Sequence, residues 1–314
     1  MVALFRILLV TWMIGMLPLC AKANSFIIDV LLGEPVSLED LVRDLEKVRI
    51  VYLGEIHSIA RHHQVQTEIF RALANRKLKL AVGMEMFGEH DQPALNRWQQ
   101  GQNPLASLLD DLGPSHWTNL VDYEPLLLAA REYGAKVVAL NADDRLVRTV
   151  ARHGLEGLSG TEASRIPEGV AEINPLYDRL LRLKLRVHSA FQDKNLDRIV
   201  LAQALRDETM ARAVVRFLTS PEGQDSIMLV VVGSGHVNYG FGIPERVEKH
   251  FKVPYRIIIA SESGELVLSE AEKRHAVPVE ISHEDLSFIR RPIADYLHVI
   301  PLKNEFPEGD AKAP

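Results

Sequence analysis

Two short turns in this chain share the spacing of a glycine and a histidine. The first is Gly54-Glu55-Ile56-His57, followed by Arg61-His62-His63, and the second is Gly233-Ser234-Gly235-His236. Residues two apart on an extended segment project to the same side, so Glu55 and His57 are expected to share one pocket. His62 or His63 would approach it from the first turn of a following helix. A third carboxylate, Glu85, stands in the apolar run Met84-Glu85-Met86-Phe87, where an unpaired charge costs on the order of several kcal/mol. It needs a metal, a histidine or an arginine. Imidazole and carboxylate together form an ordinary ligand set for zinc, manganese or iron, which makes His57, His236, Glu55 and Glu85 candidate metal ligands.

Gln203 and Asp207 lie one turn apart on a single helical face, either solvated or lining the same crevice. The basic residues Arg179, Arg182, Lys184, Arg186 and His188 read as a solvated helix face. The glycine-rich turn at Gly233 is no phosphate loop, because no Gly-Lys-Ser/Thr follows, and it lacks the Gly-x-Ser-x-Gly elbow of a serine nucleophile.

Such groups must be positioned by regular elements. Five short Val- and Ile-rich segments read as buried strands: Arg49 to Leu53, Leu78 to Met84, Lys136 to Leu140, Ser226 to Val232 and Tyr255 to Ala260. Helical periodicity runs through Ser58 to Asn75, Tyr123 to Tyr133, Asp143 to His153, Leu176 to Phe191 and Leu196 to Leu218. Strands alternating with helices predict an α/β fold, with a mainly parallel central sheet flanked by helices. In such sheets working groups gather at the carboxyl ends of the strands, and three of the five strands lead into the residues above. The stretch from about 141 to 225 is too long for one crossover and reads as a helical insertion or small helical subdomain. A smaller insertion, Phe87 to Asp122, carries Trp98 and Trp117. Weak strand signals follow at Val277 to Ile281 and Tyr296 to Ile300.

The remaining composition sets bounds. Of 314 residues, 47 % are hydrophobic and 25 % charged, as in an ordinary globular chain. Met1 to Ala23, with the apolar run Ile7 to Leu19 before Ala21-Lys22-Ala23, reads as a secretory signal peptide. Cleavage there would start the mature protein near Asn24. The alternative is retention through a lipidated Cys20, although Leu19 rather than a small residue precedes it. Cys20 is the single cysteine, so no disulfide forms within the mature chain. The formal charge is −6 and becomes more negative when Arg6 and Lys22 leave with the leader, which argues against a nucleic-acid partner. The α/β domain is placed at 24–270 and a polar C-terminal extension at 271–314.

Taken in order, Gly54-Glu55-x-His57, His62-His63-x-x-Gln66, Glu85-Met86-Phe87, Gln92, Tyr123-x-Pro125, Ala130-Arg131, Leu140-Asn141, Gln203, Asp207-Glu208-x-Met210-Ala211 and Gly233-x-Gly235-His236 resemble the ChaN-like proteins. These are haem-binding, iron-uptake-associated proteins of the bacterial envelope, grouped with the Tiki, TraB and erythromycin-esterase-like superfamily. The resemblance spans about Val48 to Ala260. It implies haem, or iron, as cofactor, a periplasmic or outer-membrane location, an uptake receptor as partner, and a homodimer if haem is sandwiched between subunits. Ferric haem accepts a phenolate, for which Tyr239 and Tyr123 are candidates, the latter with Arg131 in reach if the helix turns suitably. His62, His63, Gln203 and Asp207 complete the cofactor-binding set, and Met84, Met86, Phe87, Trp98 and Trp117 are candidate apolar walls. Hydrolytic members of the superfamily imply instead a metal-dependent or acid–base centre. On that pattern His57 and His236 act as ligands or bases, Glu55 and Glu85 as ligands or general base, and zinc or manganese as the metal.

Overall fold

The computed structural model describes residues 25–101, 103–113, 117–186, 193–263 and 281–301. The leader with Cys20, His188, the end of the expected helix Leu176 to Phe191, most of the expected strand Val277 to Ile281 and the last residues lie outside that range. Eight strands form one sheet: β1 (Phe26–Asp29), β2 (Glu34–Val36), β3 (Ile50–Glu55), β4 (Leu80–Gly88), β5 (Lys136–Asn141), β6 (Ile227–Gly233), β7 (Tyr255–Ser263) and β8 (Tyr296–Pro301). Their order is β2-β1-β8-β7-β3-β6-β4-β5. The strands from β8 to β5 run parallel, and the β1–β2 hairpin adds an antiparallel edge.

The helices are α1 (Leu38–Leu45), α2 (Ala60–Ala74), α3 (Gln92–Gln100), α4 (Leu105–Leu112), α5 (Glu124–Glu132), α6 (Asp144–His153), α7 (Gly160–Ala163), α8 (Pro175–Arg186), α9 (Asp193–Leu218) and α10 (Ile243–His250). Both faces of the sheet are covered. Val51, Leu53, Val82, Leu229 and Val231 pack against Ile69 and Phe70 of α2 and Leu127 of α5. Their alternates Ile50, Tyr52, Val230 and Val232 pack against Met210 and Val214 of α9 and Ile243 and Val247 of α10. Double coverage explains why these strands read as unbroken apolar runs rather than alternating ones. All five predicted strands and all five predicted helical stretches form, with shifted ends. The elements that sequence patterning did not resolve are the short helices α1, α3, α4, α7 and α10 and the β1–β2 hairpin, where exposed Phe26, Leu31 and Leu32 mask any alternation.

Three features of the sheet position the site. β6 lies between β3 and β4, so the turns that follow β3 and β6 emerge side by side. Pairing of β4 with β5 slips between Met84 and Gly88, and a bulge of this kind re-aims the side chain it carries, here Glu85. Gly233 permits a close approach: a β-carbon there would stand 2.6 Å from His57 Nε2. The expected helical insertion is the α6–α9 region, whose long member α9 packs on β5, α6 and α10.

Candidate functional site

At the carboxyl ends of β3, β4 and β6 the titratable side chains form one continuous array with two arms that meet on Glu85. In the outer arm, His57 Nδ1 sits 2.7 Å from Glu55 Oε1 and His57 Nε2 lies 3.6 Å from Glu85 Oε2. Glu55 also accepts from the Tyr123 hydroxyl and from the Gln66 amide. In the inner arm, His236 Nε2 is 3.2 Å from Glu85 Oε1, and His236 Nδ1 is 2.5 Å from Asp207 Oδ1. Asp207 Oδ2 accepts from the Tyr177 hydroxyl at 2.8 Å. The Gly233 N–H donates to Glu85 Oε2 at 2.8 Å, and Gln203 Nε2 lies 3.0 Å from His236 Nδ1. The order of groups is therefore tyrosine, acid, histidine, Glu85, histidine, acid, tyrosine.

Charge follows from this pairing. Burial opposes protonation of His57, but the carboxylates of Glu85 and Glu55 outweigh it and raise the imidazole above its ordinary value. His236 is likewise disfavoured by burial and carried by Glu85 and Asp207 up to about 10. Glu85 answers them: burial would raise its carboxyl, yet His236 and His57 hold it well below the usual carboxylate range. Burial and the neighbouring carboxylates push the Tyr123 and Tyr177 hydroxyls up, so both remain donors.

His57 is the array's opening to solvent, with 30 % of its side chain exposed against 8 % for His236 and 4 % for Glu85. Trp117 stands edge-on to its ring at 4.6 Å, and the Asn119 amide donates to its carbonyl at 2.5 Å. A cleft of about 120 Å³ leads down to Glu85 between Met86, Trp117 and Asn141, with Arg145 and Arg148 at its rim. The amino end of α6 forms that rim because Asp143 caps it, accepting from the Arg145 N–H at 2.8 Å.

The remaining predicted residues fall in different places. Asp207 and Gln203 line the site rather than a solvated face. His62 and His63 are buried beside the array, not in the cleft. His62 Nδ1 accepts from the Ile56 N–H at 3.0 Å and so braces the turn that carries His57. Burial depresses it to about 4. His63 stacks on Tyr123 at 3.9 Å and is also lowered by burial, with Glu55 opposing. Arg131 does not reach Tyr123: its guanidinium covers Trp98 at 4.4 Å and donates to the Asn103 carbonyl at 2.7 Å. Trp98 itself is core. Lys184 departs from the solvated-face reading, since Asn238, oriented to donate to the Ser234 carbonyl, accepts from its Nζ at 3.1 Å. Burial lowers the Lys184 amine.

The expected zinc or manganese ligand set is not what the geometry presents. Among the described residues no group of three or more His, Cys, Asp or Glu side chains is arranged to hold a metal ion. In the array the nitrogens and oxygens of His57, His236, Glu55 and Glu85 face one another as ion pairs instead. Sequence reasoning missed Tyr177 and Asn119. One cue for Tyr177 exists: with Leu180 and Leu181 it forms the buried face of α8, and a hydroxyl on such a face requires a partner.

Residues 41–247 match the family described as haem-binding uptake, Tiki superfamily, ChaN. The chain belongs to that family. Among solved structures, this ChaN-family chain is similar to one of cofacial heme binding to ChaN of Campylobacter jejuni, at 19 % identity and a TM-score of 0.64, covering 88 % of this chain and 96 % of that one. The likeness shows a shared fold. A curated relative, Protein RETICULATA-RELATED 5, chloroplastic, of Arabidopsis thaliana, is 28 % identical over 291 residues. The match covers 85 % of this chain and 36 % of the relative, so the chain spans little more than a third of its length.

Proposed function

We propose that this ChaN-family protein is an exported haem- or iron-binding protein of the cell envelope that hands its ligand to an uptake receptor. The observation that carries the reading is the family match over residues 41–247, and the leader-like segment Met1 to Ala23 agrees with export.

The residues themselves discriminate between seats for haem. A cleft of about 120 Å³ is well below the roughly 300–1,000 Å³ of small-molecule sites and does not admit a porphyrin. His57 and His236 turn both ring nitrogens toward carboxylates, so neither presents a free nitrogen to a porphyrin. Tyr123 is wholly buried on Glu55. Tyr239 fits better. It is half-buried in a left-handed turn, φ 62°, beside Phe241, with Leu286, Phe288 and Ile289 partly buried in the same cluster. The guanidinium of Arg291 lies 3.9 Å over Phe241 and that of Arg179 lies 4.2 Å over Phe288. A Tyr239 phenolate would give ferric iron its oxygen ligand, and the two guanidiniums would meet the propionates. Burial raises the Tyr239 phenol, so iron has to displace its proton. Hemin added to the purified protein is expected to produce a Soret shift that Tyr239→Phe weakens at least tenfold in affinity. Light scattering is expected to show pairing of two copies when hemin is present. Absence of any Soret change in the unmodified protein overturns the reading.

The array supports a second reading, a proton-based hydrolase. His57, the most exposed ring of the array, is placed to donate to a leaving group, while Glu55 at 2.7 Å fixes its ring. Turnover of a p-nitrophenyl ester that disappears in His57→Gln, with hemin binding retained, would favour it.

A further inference from the structure

We propose that Tyr177 is a positioning residue of the array, which holds Asp207 and through it fixes the inner histidine against Glu85. The proposal rests on the acid–base reading of the array. The two arms look alike but are supported unequally. Glu55 has two side-chain donors besides its histidine, Tyr123 and Gln66. For Asp207, Tyr177 is the one such donor among the described residues, delivered by α8 from outside the strand ends. Asp207 is wholly buried, and each of its oxygens has one partner: Oδ1 faces His236 Nδ1 at 2.5 Å and Oδ2 faces the Tyr177 hydroxyl at 2.8 Å.

Loss of that hydroxyl leaves Oδ2 as a buried acceptor with nothing to accept, and a buried carboxylate with fewer hydrogen bonds is harder to keep ionised. His236 then loses part of the acidic support on its Nδ1 side. Through Glu85 the change reaches His57. The groups that face His236 are Glu85 from β4, Asp207 and Gln203 from α9, and His57 from the turn after β3. Gln203 lies 3.0 Å from the His236 ring and also hydrogen-bonds the Tyr177 hydroxyl, so that hydroxyl ties Asp207 and Gln203 together beside the inner histidine. Tyr177 also contacts the Gly235 carbonyl at 3.3 Å and stacks on Phe241 at 5.7 Å. Tyr177→Phe keeps that stacking and removes only the hydroxyl.

The test is the pH titration of His236 in the full chain labelled with ¹⁵N-histidine, its signals assigned by their absence in His236→Gln. In the unmodified protein both ring nitrogens should stay protonated through about pH 8. Tyr177→Phe is expected to bring the midpoint down by one unit or more, whereas Tyr123→Phe, whose carboxylate keeps Gln66, moves it by less than about a third of that. An unchanged midpoint in Tyr177→Phe, or an equal shift in Tyr123→Phe, overturns the proposal. Should Tyr177→Phe not fold, the unmodified protein decides: a slowly exchanging Tyr177 hydroxyl proton with a nuclear Overhauser contact to His236 is expected, and its absence counts against the role. Failure of the acid–base reading shows separately, as ester turnover that His57→Gln leaves intact.

Discussion

Two pairs of histidines gather at the carboxyl ends of β3 and β6, and their titrations are shifted in opposite directions. His57 and His236 are raised by carboxylates on both sides, while His62 and His63 are depressed by burial. All four are largely enclosed. The difference is the number of carboxylates each ring touches: His57 and His236 meet two apiece, whereas His62 takes a backbone N–H and its Nε2 has no hydrogen-bond partner. Enclosure alone therefore does not set the charge of an imidazole here; its acidic company does. One pair is held by carboxylates, and His62 must keep Nδ1 unprotonated to brace the turn at Ile56.

The comparison breaks most sharply at Glu85, which both charged rings share. Glu85→Gln leaves His57 and His236 without their common partner, and disrupting a buried ion pair in this way costs on the order of 3–5 kcal/mol. Urea denaturation at pH 7 should register it as a large drop in midpoint. A loss below about 1 kcal/mol would mean that Glu85 and the two rings are not ion-paired in solution.

Titration separates the pairs next. His62 is neutral in the fold with a value of about 4, against about 6.5 in an unfolded chain. The unfolded state binds the proton more readily, so stability falls as pH drops below about 6.5. The loss reaches on the order of 3 kcal/mol near pH 4. His62→Asn, which keeps an acceptor for the Ile56 N–H, should flatten that acid limb in denaturation curves at pH 4.5 and 7. His236 has the opposite sign. Its folded value of about 10 means that its contribution is full below about 6.5 and disappears as pH climbs through about 10. His236→Asn should flatten the alkaline limb alone.

Arg131→Ala gives the smallest effect. Its guanidinium over Trp98 contributes about 0.5–1 kcal/mol, and the His57 and His236 titrations should not move. A shift in either would tie α5 to the array in a way the geometry does not provide.

Much of the site was legible because its residues sit where patterns are strongest. Glu55, His57, Glu85 and His236 follow Val- and Ile-rich runs, and strand ends of a parallel sheet converge. What the patterns lacked was depth. Nothing local distinguishes His57, which is partly exposed, from His62, which is sealed off; that depends on helix phase and on β6 lying between β3 and β4. Tyr177 was hidden for a related reason, since its partner Asp207 stands on a different helix. The bulge that turns Glu85 inward is a matter of strand register, and an apolar run does not record register.

The place of β6 in the middle of the sheet bears on how the chain is made. During synthesis from the amino end, β3 and β4 exist long before the strand that joins them, each with unsatisfied backbone groups along its inner side. Such open edges invite false pairing. A nascent chain stopped at α9 would hold Glu55, His57 and Glu85 without the strand that brings His236 to them, so the site is completed late and all at once, when residues 227–233 slide into the gap.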